Sequence, residues 1–169
     1  MGRNRHRRLT VTPRTARKSG DSRRGLSLIE VAIVLAIVGV LAAIAAPRYA
    51  NAMANYRAEA AARRVVADLA YARSRAGESS QSKTVVFDLG ARQVRISGAG
   101  DLNTASEDYL TRLAKEPYLV DTMSADFGGT NQVSFDGYGT PDTSGTVVLQ
   151  HGTVQRIVVL DVSGEAGVK

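Results

Sequence analysis

RRGLSLIEVAIVLAIVGVLAAIAAP, residues 23–47, is the stretch on which the fold turns. Leu26 to Ala46 is a run of 21 residues with a single charge, Glu30, and Val31 to Ala46 carries no polar side chain. At about 1.5 Å per residue such a helix spans about 31 Å, close to the hydrocarbon thickness of a bilayer. It is apolar all round, so it is not an amphipathic surface helix. A chain of 169 residues has too little interior to surround it. The run therefore reads as a single membrane span.

Charge sets the orientation. The net charge is +6, but residues 1–25 hold nine of the 22 Lys/Arg against one acid, Asp21. Residues 26–169 are left with 13 basic and 15 acidic residues. A basic arm can bind nucleic acid. This one stops where the apolar run starts, the order of a targeting leader or a positive-inside anchor. The N-terminus is expected in the cytoplasm and everything after Ala46 outside it, in a protein of the inner (plasma) membrane.

Composition excludes several chemistries. There is no Cys, hence no disulfide, thiolate zinc site or Cys nucleophile. Of two His, His6 lies in the leader, so a multi-His metal site is excluded. No catalytic constellation emerges, and no cofactor or metal is expected. His151 reads as a turn residue. Asp136 with Asp142, and Asp101 with Asn103, read as solvated loop residues without the spacing of a calcium loop. Arg63, Arg64, Arg73 and Arg75 read as a solvated helix face.

Glu30 is the informative polar residue. A carboxylate inside a membrane helix costs on the order of 2.5–3.5 kcal/mol at mid-depth and less near an end. It either sits idle at the headgroup level or meets a cation. Were the chain cut after Gly25, the α-amino group of Leu26 would lie one helical turn away, or could meet Glu30 from a neighbouring chain.

Arg-Arg-Gly-Leu-Ser-Leu-Ile-Glu (residues 23–30), then the apolar helix, then Pro47, resembles the N-terminal signature of type IV pilins and pseudopilins. The usual pattern is Gly-Phe-Thr-Leu-Ile-Glu. Gly25, Leu28, Ile29 and Glu30 match, Ser27 replaces Thr, and Leu26 departs from Phe. The resemblance implies that a prepilin peptidase cuts between Gly25 and Leu26 and methylates the amine of Leu26. It implies that Glu30 guides assembly with other pilin-like subunits by neutralising that amine in a neighbour. Pro47 falls where many members have a helix-kinking proline, and a kink or loosening is expected there. A competing pattern is Ser22-Arg23-Arg24 with Ala43-Ile44-Ala45, which is similar to a cleaved secretion signal. It would leave a secreted soluble β-rich binding domain.

Tyr49 to Ala76 has strong helix composition without Gly or Pro. Ala58, Ala62, Val65, Leu69, Ala72 and Ala76 make one apolar face, with Arg57, Glu59, Arg64 and Asp68 expected to point mostly elsewhere. Gly77 is expected to end the helix. Strands follow: one bearing Val85, Phe87 and Leu89, a turn at Leu89-Gly90-Ala91, and a strand from Gln93 to Ser97. Residues 98–105 read as loop, Ser106-Glu107-Asp108 as a helix start with two turns from Tyr109 to Lys115 before Pro117, and Tyr118 to Met123 as a strand. Phe127 to Thr130 is a turn, Gln132 to Phe135 a strand, and 136–142 a loop. Thr146–Gln150 and Val154–Val162 form a hairpin around His151-Gly152, with Ile157 to Leu160 covered on both faces. Ser163-Gly164 is a turn before a short end.

The expected fold is α+β, a long N-terminal helix packed on an antiparallel β-sheet. Its parts are a leader peptide 1–25 that is removed, a membrane or filament-core helix 26–47, an amphipathic half 48–77, and a β-sheet domain 78–169. Val133-Ser134-Phe135-Asp136-Gly137-Tyr138-Gly139-Thr140-Pro141, with a strand pair and Val162-Ser163-Gly164 after it, is similar to H-type minor pseudopilins of type II secretion and to FimT-like minor pilins. Some FimT-like pilins bind DNA through a C-terminal arginine-rich motif. Here that place reads Ser163 to Lys169, with Glu165 in it and only Lys169 basic. The net-negative domain likewise disfavours nucleic acid.

Overall fold

The computed structural model describes residues 27–100 and 108–169. Helix α1 runs Leu28–Ser79, with Pro47 inside it. Its helical backbone is continuous through Pro47. The side chains from Leu28 to Ile44 are exposed, Leu35 and Leu41 by 65% and 62%, so nothing among the described residues covers this apolar surface. By length and composition α1 can cross a membrane.

The second half of α1 belongs to the folded body Ala42–Lys169. The expected stripe Ala58, Ala62, Val65, Leu69, Ala72 and Ala76 is buried throughout, joined by Ala61. Small alanines let strands approach the helix closely, while Val65 and Leu69 supply most of its apolar volume. Gly77 does not end the helix, which continues to Ser79. The stop is a Schellman arrangement: Ser80 N–H donates to the Gly77 carbonyl and Gln81 N–H to the Ala76 carbonyl, at 3.4 and 3.3 Å. Ser80 takes the left-handed position at φ 50°. Gly137 seals this end: a Cβ there would lie 2.9 Å from the Ser80 carbonyl carbon.

Eight strands follow: β1 Lys83–Asp88, β2 Gln93–Gly100, β3 Asp108–Arg112, β4 Thr122–Asp126, β5 Gln132–Phe135, β6 Gly145–His151, β7 Val154–Leu160 and β8 Ala166–Val168. They make two four-stranded sheets, β3-β2-β1-β5 and β4-β6-β7-β8, where one sheet was expected. All the pairings are antiparallel. Alternation sorts the inward residues: Val85 and Phe87, Val94 and Ile96, Val133 and Phe135 in the first sheet, Val147, Leu149, Val158 and Leu160 in the second. With the α1 stripe they form one core. Phe87 stacks on Phe127 at 5.4 Å between ring centroids.

Several local expectations are corrected. Residues 108–112 are strand β3, not helix. Tyr109 and Thr111 alternate inward, and pairing with β2 supplies the backbone bonds that a short helix would have made internally. Ser106 and Glu107 lie outside the described residues. β2 continues past Ser97 to Gly100, through Gly98 at φ 70°, whose N–H is held by Asp108 Oδ1 at 3.2 Å. The fourth strand starts at Thr122 rather than Tyr118. His151 closes β6, and Gly152, at φ 58°, follows it in the turn. Ile157 is 37% exposed and Val159 half-buried, so β7 is covered on one face only. The expected short end is strand β8, paired with β7.

Candidate functional site

Gly25 and Leu26 lie outside the described residues, as does the leader 1–25. Ser27 precedes α1, and its carbonyl accepts the Val31 N–H at 3.1 Å and so opens the helix. Ser27 stands at the N-cap and Glu30 three residues on, the S-x-x-E spacing of a capping box. Glu30 lies in the first turn, where the helix dipole favours a carboxylate by about 0.3–1 kcal/mol. Its side chain is exposed. An acid at this position is thus compatible with the helix start and open to an external cation. Pro47 sits within α1.

The folded body is clasped to α1 by polar side chains. Asp68 is buried, which corrects the expectation that it points away. The Tyr109 hydroxyl donates to Asp68 Oδ1 at 2.9 Å, and Arg64 Nη2 donates to the Tyr109 hydroxyl oxygen. Arg64 Nε lies 3.1 Å from Asp68 Oδ1. Asp68 Oδ2 has no hydrogen-bond partner among the described residues. Burial pushes the Asp68 carboxyl above the usual aspartate range, against the opposing pull of the Thr111 hydroxyl and the Arg64 guanidinium. The spacing contained a signal: Asp68 is three residues after Val65 and four before Ala72, the step of the apolar face itself.

Two further clasps hold the strands. Arg156 of β7 donates from Nε to Glu59 Oε2 at 3.0 Å and from Nη2 to Asn55 Oδ1 at 3.2 Å. Arg156, with Arg63 behind it, lowers the Glu59 carboxyl below its usual range. Arg73 Nη1 donates to the Gly164 carbonyl at 3.2 Å. Arg63, Arg73 and Arg75 are exposed, as expected of a solvated face, while each also reaches a partner within the chain, Arg75 with Glu78 at 3.0 Å; only Arg64 is half-buried.

Asp68 is raised in the folded state, so its ionisation is harder there than in the unfolded chain. Stability is then highest below the ordinary aspartate range and falls as pH rises through the folded value. Asp68→Asn keeps the acceptor for Tyr109 and removes the charge. It is expected to be at least as stable as wild type at neutral pH and to lose that falling limb. Urea unfolding at several pH values measures both, and an unchanged profile would place the titration elsewhere.

The loop acids serve the backbone. Asp136 Oδ1 accepts the Tyr138 and Thr140 N–H groups, both at 2.9 Å, and Asp142 Oδ1 accepts the Ser134 N–H at 3.1 Å. Asp101 and Asn103 lie outside the described residues. Among the described residues no group of three or more His, Asp or Glu side chains could hold a metal. His151 Nδ1 contacts the Leu119 carbonyl at 2.5 Å, a structural contact at the strand end.

The helix–sheet body corresponds to a known family: Type II transport protein GspH matches residues 61–164, well over half of the chain. The chain belongs to the GspH family. The prokaryotic N-terminal methylation motif matches residues 21–46, around Gly25, Leu26 and Glu30. Two solved structures share the GspH-like fold. The type IV minor pilin FimU of Pseudomonas aeruginosa (strain PAO1) is 18% identical at TM-score 0.51, over 68% of this chain and 90% of that one. The minor pseudopilin EpsH from the Type 2 Secretion System of Vibrio cholerae is also 18% identical at TM-score 0.51, over 67% of this chain and 96% of that one. No curated protein sequence matches significantly. The pilin-like α+β fold expected from the sequence is the fold observed.

Proposed function

We infer that this chain is a minor pseudopilin or minor pilin, a structural subunit of a type II secretion pseudopilus or type IV pilus. One observation carries the inference. A methylation motif at 21–46 and a GspH body at 61–164 stand on one chain, and α1 runs from the first into the second. A secreted binding domain released by a signal peptidase would have no use for Glu30 or for a continuous helix.

On this proposal prepilin peptidase cuts between Gly25 and Leu26 at the cytoplasmic face and methylates the Leu26 amine. The apolar half of α1 holds the subunit in the inner membrane as a single span, with the folded body outside the cytoplasm. Assembly then moves that half into a filament of pilin-like subunits. The role is structural and involves no catalytic step.

Processing is the test. Gly25→Lys places a long charged side chain beside the scissile bond and is expected to abolish cleavage. Intact-mass measurement of membrane-extracted protein should find wild type beginning at a methylated Leu26 and the variant retaining its leader. Wild type that keeps its leader beside an active prepilin peptidase would overturn the proposal. A chain beginning near Ala46 would instead favour the secreted domain.

A further inference from the structure

We propose that Arg48 and Tyr49 form a phospholipid-headgroup site that fixes where α1 leaves the bilayer; this rests on reading the apolar half of α1 as a membrane anchor. Pro47 stands inside α1 and has no N–H, so the carbonyl of Ala43 lacks its helical donor. Between Val31 and Ala46 no side chain can donate in its place. An unpaired carbonyl in hydrocarbon is costly. The Ala43 carbonyl therefore belongs where water or the polar part of a lipid reaches it.

The next residues suit that depth. Arg48 is exposed and forms no salt bridge among the described residues. Its planar guanidinium matches the oxygens of a phosphodiester, with which it can make paired hydrogen bonds. Tyr49 is 69% exposed, and an exposed ring with a polar tip is favoured at the membrane interface. Ala43 to Tyr49 spans about 9 Å of helix, which bridges the thin polar layer on one side of the bilayer.

Tyr56 is an internal control. It is 67% exposed, lies seven residues beyond Tyr49, and falls on nearly the same helix face. It stands about 10.5 Å farther along the axis, past the headgroups and in water. Two rings alike in exposure and face are thereby assigned to different solvents.

The chain contains no Trp, so Tyr49→Trp and Tyr56→Trp each introduce a single fluorescent reporter into the full chain. Each is reconstituted into phosphatidylcholine vesicles with and without phosphatidylglycerol. Lipid brominated near the glycerol should quench the Tyr49→Trp reporter severalfold more than the Tyr56→Trp reporter. Aqueous acrylamide should show the reverse order. Phosphatidylglycerol should strengthen lipid quenching of the Tyr49→Trp reporter, an effect that added Arg48→Gln removes and Arg48→Lys largely keeps. Equal lipid quenching of the two reporters, or an Arg48→Gln variant that still responds to phosphatidylglycerol, would overturn the site. Flotation of the wild-type chain with vesicles separates the two levels. A chain that fails to float refutes the anchor, whereas one that floats with the wrong quenching order refutes only the headgroup site.

Discussion

Glu30→Ala should leave cleavage and membrane insertion intact and lower incorporation into a filament by roughly a hundredfold or more. Removing the carboxylate makes residence in lipid easier, so the free subunit gains. On the proposed assembly role, what is lost is the partner of the Leu26 amine in the assembled state. An unpaired buried charge costs about 3–5 kcal/mol, and about 1.4 kcal/mol is a factor of ten. Glu30→Gln separates this role from the start of α1. Gln can fill the third helical position of a capping box as Glu does, but it cannot neutralise an amine. If Gln assembles as poorly as Ala in a cross-link to companion pilin-like subunits, the charge is what matters. If Gln restores assembly fully, Glu30 serves the helix start alone. Equal assembly by all three proteins would make Glu30 only an interfacial residue.

Phe87→Ala should cost about 3–5 kcal/mol of folding stability, a large share of the roughly 5–15 kcal/mol available to an ordinary domain. Phe87 is fully buried, stacks on Phe127, and sits in the core where α1 meets strands of both sheets. The measurement is made on a fragment from Asn51 to Lys169, which holds the entire core and none of the apolar run. That fragment should be soluble and monomeric, with mixed helix and strand in circular dichroism. A loss below about 1 kcal/mol on urea unfolding would mean that the ring is not packed between α1 and the strands.

Long-period patterns were legible in the sequence, and cross-chain contacts were not. The apolar run and the Ala58-to-Ala76 stripe repeat over many residues, so their helical period outweighs local noise. Val85 with Phe87 and Val133 with Phe135 alternate cleanly, and both segments are strands. The helix expected from Tyr109 to Lys115 failed because Ser106-Glu107-Asp108 is a sound local helix start. What overrides it is remote: β2 as a pairing partner, and Asp68 and Arg64 at the far end of the Tyr109 hydroxyl. The division into two sheets has the same origin, since no local feature tells β4 to pair with β6 rather than with β5. At the candidate site, Glu30 was legible because an acid in an apolar run is conspicuous. Asp68 was missed because a charged residue beside a small-residue stripe reads as its solvated edge. Its burial goes with a contact remote in sequence, the Tyr109 hydroxyl of β3.

The three clasps along α1, at Glu59, Asp68 and Arg73, reach β7, β3 and the turn after β7 respectively. They are staggered along one rod and attached to different parts of the body. A pull along the helix axis would therefore load them side by side, together with the whole apolar stripe, and would not open them one after another. In the proposed filament, load between neighbouring subunits would run along this helix. This helix is fastened as a tang is riveted into a handle, so axial load is met in shear by every fastening at once.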